Sequence, residues 1–142
     1  HSKTLGTKLK EIYGKITATK PKYCILTPLE AEIVKISING FITTKLSYAN
    51  MISDYCDTVG VDKGLVLNSI GSDKRIGTNY FKPGYSFGGP CFPRDTKALI
   101  NALKKEEINT DLLLGTTIYN EEHSKFQTNQ LLKEGKWRQT RY

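Results

Sequence analysis

Apolar residues recur at three- and four-residue steps over most of this chain and at alternate positions over one short stretch. Leu5, Leu9, Ile12 and Ile16 in "TLGTKLKEIYGKIT" form the first stripe and predict a helix over residues 4–17. "TKPKYCILTP" then reads as a turn and a short extended segment, Tyr23 to Leu26, stopped by Pro28. Thr27 followed by Pro28 is a helix-start pair: a side-chain cap, then a residue whose missing N–H costs nothing in the first turn. The next segment supports two readings. "VKISINGFITTKLSY" alternates apolar and polar residues up to Asn39-Gly40, a hairpin signal. Yet Ala31, Val34, Ile38, Phe41, Tyr48, Ile52, Tyr55 and Val59 step by three or four, with one gap at Lys45, as in a single helix of about thirty residues. A mid-helix Gly40 costs ~1 kcal/mol against Ala, so the local pattern leaves the two readings nearly balanced.

Gly60 and "GVDKG" mark a break. "LVLNSIG" reads as a short helix, "SDKRIGTNYFKPGYS" as a loop and "PRDTKALINALKKE" as a helix, and "LLLGTTIYNEEHSKFQTNQLLKE" as a last long helix. No internal repeat or low-complexity tract is present.

Composition adds limits rather than direction. The 142 residues suffice for one domain with a core, and 38% hydrophobic with 25% charged residues is a globular balance. No apolar run approaches the roughly 20 residues of a membrane span. The start, "HSKTLGTKLKE", lacks the apolar centre of a secretory signal and an initiator Met, so a piece of a longer or processed chain is expected. Cys24, Cys56 and Cys91 are too few and too scattered for a disulfide framework or a zinc pair. A reducing, cytoplasmic setting and no bound metal are expected. The net charge of +7 is spread along the chain, with no arginine-rich helix and no aromatic RNA-binding strand. Nucleic acid is therefore not expected as a partner, whereas an anionic small molecule needs only a few of these charges.

The chemistry concentrates in "PGYSFGGPCFPRDTKAL", residues 83–99. Pro93 suits a first helical turn and puts Cys91 just before a helix N-terminus. Unpaired backbone N–H groups and the macrodipole favour an anion there, which for a cysteine is the nucleophilic thiolate. Gly88 and Gly89 let the backbone come close to a ligand, and Asp95 follows Cys91 by four residues. Cys24 and Cys56 have no such setting and read as structural cysteines.

"GYSFGGPCFPRDTKAL" resembles the catalytic-cysteine motif of the UDP-glucose/GDP-mannose dehydrogenases, which runs roughly G-x-G-[FY]-G-G-x-C-[FL]-P-[KR]-D-x-x-A-L. "AEIVKISINGFITTKLSYAN" and "GSDKRIG" resemble two further blocks of that family, in the same order and at similar separations. The chain departs from the pattern at Ser86 (usually Gly), Gly40 (usually Ala or Thr), Met51 (usually Glu) and Arg94 (for Lys).

The resemblance decides for helix over hairpin. It implies a mainly α fold: a central helical dimerisation domain with one long helix, preceded by the tail end of a Rossmann-type α/β domain. Residues 1–27 would be that remnant, 28–118 the central domain, and 119–142 a connecting helix and tail towards a nucleotide-sugar-binding domain. It implies an NAD-dependent enzyme that oxidises the C6 alcohol of a nucleotide sugar to a carboxylate in two steps, with UDP-glucose as the favoured substrate. GDP-mannose, another UDP-sugar, or a module that only mediates pairing are the alternatives. Cys91 would form the thiohemiacetal and thioester, Lys35 would stabilise the oxyanion with Asn39 beside it, and Asp95 would handle water and protons. Tyr80, Phe81, Lys82, Gly88 and Gly89 would line the substrate pocket. Arg75 would reach the substrate of a partner subunit, in a homodimer formed through the long helix. No glycine-rich G-x-G-x-x-G turn occurs, so NAD is expected to bind mainly outside this chain, and the chain alone is expected to be inactive.

Overall fold

A computed structural model describes residues 3–133 and Gly135. It contains α1 (Lys3–Ile16), α2 (Pro28–Val59), α3 (Lys63–Gly71), α4 (Phe92–Lys105) and α5 (Asp111–Lys133), and no strand among the described residues. The fold is mainly α, as expected. None of these helices is long and apolar enough to cross a membrane.

The chain divides into two compact units, His1–Lys35 and Ile36–Tyr142. In the first, the Tyr23 hydroxyl donates to the Lys10 carbonyl at 2.9 Å, and the Lys10 ammonium lies 5.7 Å from the centre of the Tyr23 ring. These contacts lay the segment after α1 back along that helix. The stretch expected to be extended, Tyr23 to Leu26, enters no sheet, because no strand stands beside it to take its backbone groups.

α2 runs 32 residues without a turn at Asn39-Gly40, so the helix prevails over the hairpin. Its start is a reciprocal cap: the Glu30 N–H donates to Thr27 Oγ1 at 3.3 Å, and the Thr27 N–H donates to Glu30 Oε2 at 2.6 Å. The Thr27 backbone N–H first, and then the Thr27 side chain, hold the Glu30 carboxyl below its ordinary range. Gly60, with φ of +76°, lets the chain turn out of the helix.

In the second unit α2 buries a polar stripe. Asn39, Gly40, Thr43, Ser47, Asn50 and Asp54 are buried, while Ile38, Phe41, Tyr48 and Tyr55 are exposed. The buried positions recur at three to four, and small side chains there let the other helices approach. A Cβ on Gly40 would lie 2.9 Å from Leu99 Cδ2 of α4. Thr43 meets Thr96 at 3.2 Å, and Ser47 donates to the Thr116 carbonyl at 3.1 Å. Where the sequence suggested only a weakened helix at Gly40, the structure supplies the compensation, close packing against α4.

The apolar core is small: Ala49, Leu67 and Phe81, flanked by Ile52 and Ile70. α3 closes it from a start where Asp62 Oδ1 accepts the Leu65 N–H at 3.0 Å. α4 packs against α5. α5 continues through the expected boundary at 118/119, and the tail "KWRQTRY" lies outside the described residues.

Candidate active site

Pro93 opens α4 and leaves Cys91 at the N-cap, with φ −95° and ψ −54°. A cap residue of Ser or Asp type would turn its side chain inward onto the free N–H groups. Cys91 makes no such bond and is exposed, so its thiol is open to an incoming group. The helix begins with the Asp95 N–H donating to the Cys91 carbonyl at 2.8 Å, which fixes cysteine and aspartate one turn apart.

Asp95 is 5% exposed, and both its oxygens are engaged. Asn39 Nδ2 donates to Oδ2 at 2.6 Å from α2, and Arg94 Nε donates to Oδ1 at 2.9 Å. That ion pair holds the Arg94 guanidinium above its ordinary range, the hydrogen bond to Asp95 contributing most and the nearby Cys91 least among the favourable causes. Three of the residues singled out in the sequence, Asn39, Cys91 and Asp95, thus come together through residues 56 apart in the chain. Lys35 belongs to the first unit, where it is exposed on α2 one turn before Asn39.

The remaining candidates sit on the long loop between α3 and α4. Gly89 has φ of +77° and open space where a side chain would stand, as has Gly88. Tyr80 adopts φ of 56°, a left-handed conformation that is strained for an aromatic residue; its ring is exposed, and so is Lys82. Phe81 turns the other way. It is 2% exposed, stacks on Tyr48 at 6.1 Å, and supports the loop from the core rather than facing solvent. Arg75 is exposed but tethered: Nη2 reaches Asp73 Oδ2 at 2.6 Å, and Nε shares both carboxylate oxygens. This side-chain bond, then the Arg75 backbone N–H, hold the Asp73 carboxyl below its usual range.

Residues 29–122 match the profile of the UDP-glucose/GDP-mannose dehydrogenase family, central domain. The chain belongs to this family. It is similar to UDP-glucose 6-dehydrogenase of Pseudomonas aeruginosa, 32% identical over 134 residues, which covers 93% of this chain and 30% of that protein. It is also similar to UDP-glucose 6-dehydrogenase TuaD of Bacillus subtilis, 46% identical over 81 residues, which covers 56% of this chain and 18% of that protein. Among solved structures, a UDP-glucose dehydrogenase from the hyperthermophilic archaeon Pyrobaculum islandicum superposes with a TM-score of 0.75 at 35% identity, over 85% of this chain and 27% of that one. The chain spans less than a third of the length of these relatives.

The family's dinucleotide needs a strand, a glycine-rich turn and a helix in succession, and the described residues offer no strand. The described residues therefore lack that strand–turn–helix unit. No group of three or more His, Cys, Asp or Glu side chains among them could hold a metal ion.

Sequence reasoning missed the residues that hold the loops of this family member in place. Lys45, noted only as a gap in the α2 stripe, donates to the Ile76 carbonyl at 2.7 Å and ties down the loop that carries Arg75. Asn120 grips Phe87 from both sides, accepting its N–H at 2.7 Å and donating to its carbonyl at 3.0 Å. Asn50 accepts the Gly84 N–H at 3.2 Å. Polar residues at helical spacing on α5, Asn120, His123 and Gln127, were the available signal.

Proposed function

We propose that this chain is the cysteine-bearing part of an enzyme that oxidises the C6 alcohol of UDP-glucose to the carboxylate of UDP-glucuronate. The observation that carries this reading is the 2.6 Å bond from Asn39 to Asp95, which sets a buried carboxylate one turn from an open thiol at a helix start. A thiol in that position can add to an aldehyde carbon and hold it covalently, so the intermediate need not leave between oxidations. Lys35 takes the oxyanion role implied by the family motif. Asn39 and Asp95 orient the water that cleaves the thioester, and the Asp95 carboxylate receives its proton. The exposed Tyr80 and Lys82, with the backbone of Gly88 and Gly89, contact the nucleotide sugar, and Phe81 backs this wall from the core.

NAD, which accepts the hydrides in such an oxidation, is held outside these 142 residues, and the chain alone does not turn over. The setting is the cytoplasm, where free thiols persist. Two copies pair through the exposed apolar face of α2, and Arg75 serves the partner's substrate once it is released from Asp73.

Alkylation by iodoacetamide, followed peptide by peptide, tests the reading. UDP-glucose is expected to slow modification of Cys91 while leaving Cys24 unaffected, and GDP-mannose to do so less. Equal protection by both sugars would shift the substrate assignment. No protection by either, together with full turnover of a Cys91→Ala variant in a complete enzyme, would leave a pairing module as the function.

A further inference from the structure

The loop before Cys91 has no regular structure, yet side chains from α2 and α5 pin its backbone. The Gly84 N–H donates to Asn50 Oδ1 at 3.2 Å, and the Tyr85 carbonyl accepts from Asn50 Nδ2 at 3.3 Å. Phe87 is held by Asn120 as described, and Ser86 Oγ donates to the Asn120 carbonyl at 2.6 Å. The Gly84 carbonyl is the most heavily bonded point: Gln127 Nε2 donates to it at 2.9 Å and His123 Nε2 at 2.8 Å. Gly88 and Gly89, which follow, have open space around them. The approach of the chain to Cys91 is therefore set by what grips residues 84–87.

His123 is 1% exposed and differs from the other gripping residues in being ionisable. A carbonyl only accepts, so the ring nitrogen facing Gly84 carries a hydrogen. The other nitrogen, Nδ1, lies 2.9 and 2.8 Å from the two oxygens of Asp54. That carboxylate also accepts the Tyr119 hydroxyl at 2.5 Å. The ring thus bridges the Gly84 carbonyl and the Asp54 carboxyl group, sharing a proton with Asp54 through Nδ1. A neutral amide in its place could serve Gly84 or Asp54, but not both.

We propose that the buried Asp54–His123 pair is a positioning device for the Cys91 loop, holding the Gly84 carbonyl from an anchor between α2 and α5. Its relevance to catalysis rests on the function proposed above; the anchoring itself does not. His123 acts through Gly84 and is a positioning residue.

The test uses the 142-residue chain with no nucleotide sugar present. Nitrogen-15 NMR of the wild type is expected to show a proton on the His123 ring nitrogen that faces Gly84. His123→Gln and Asp54→Asn are each expected to raise amide exchange of residues 84–89 by about tenfold, with the α3 amides still protected. The alkylation rate of Cys91 should change severalfold while that of Cys24, in the other unit, stays constant. The double variant should match either single one, because the pair acts as a unit. No proton on the ring nitrogen facing Gly84, or folded variants with wild-type loop exchange and Cys91 rate, would overturn the proposal. Should the single variants not fold, Gln127→Ala removes a donor from the same carbonyl without disturbing the pair. It should raise exchange in the same loop, and unchanged exchange there overturns the proposal equally. Loop loosening without UDP-glucose protection of wild-type Cys91 would retain the anchor and reject the dehydrogenase site. Protection together with an unaffected loop would do the reverse.

Discussion

At the scale of single residues, the site depends on polar groups whose partners arrive from far along the chain. Asn39→Ala would remove the hydrogen bond that Asn39 donates to the buried Asp95, a loss of about 1–3 kcal/mol. Urea unfolding should register that loss, and Asn39→Asp should be worse, since it sets two carboxylates against each other. Tyr119 makes a different prediction, about alkali. Burial first, then the hydrogen bond to Asp54 and that group's charge, push its phenol well above the ordinary range. The folded chain therefore holds this proton more tightly than the unfolded chain, whose tyrosines titrate near about 10. The contribution to stability is complete below that pH and is lost as the pH rises through the folded-state value. Stability should fall in alkali, and Tyr119→Phe should flatten that fall. Ultraviolet difference absorbance should find one of the eight tyrosines ionising late, with unfolding.

At the scale of elements, each helix combines a start signal with a face that suits its neighbours. Phe81 is the largest side chain in the small core, and Phe81→Ala should destabilise the chain by about 3–5 kcal/mol in thermal or urea melts. The loop bearing Tyr80 and Lys82 should lose order with it. Helix positions were legible in the sequence because Thr27-Pro28, Gly60 and Pro93 are local signals. The conflict at Asn39-Gly40 was not resolvable locally. The alternation there was real, but the residue that turns a glycine into an asset, Leu99 on α4, lies far away in sequence. The cysteine, the aspartate and the asparagine were legible as a motif. The grip of Asn50, Asn120 and His123 on the preceding loop was not, since each looks like an ordinary polar residue on a helix. Only the packing of α5 beside the loop gives them a shared target.

For the whole molecule, α2 inverts the usual expectation that an apolar stripe faces the core of its own chain. Phe41 is 69% exposed and Tyr55 65%, while Asn50 is 1% exposed. A contiguous apolar face left in water is the mark of an interaction surface, and under the proposed function its occupant is a second copy. Sedimentation should give a dimer for the wild-type chain. Phe41→Asp with Tyr55→Asp should give a monomer of the same helicity, since neither side chain supports the core. A wild-type monomer, or a dimer unaffected by both changes, would remove this face from the interface.

The grip on the Cys91 loop also has a consequence in time. Its bonds join residues separated by 33 to 43 positions, from Phe87 with Asn120 to Gly84 with Gln127. During synthesis the cysteine is made before the helix that shapes its approach. Closing such long loops is among the slower steps of folding. The approach to Cys91 thus stays unshaped until α5 has docked, and a chain truncated within α5 carries the motif without its geometry.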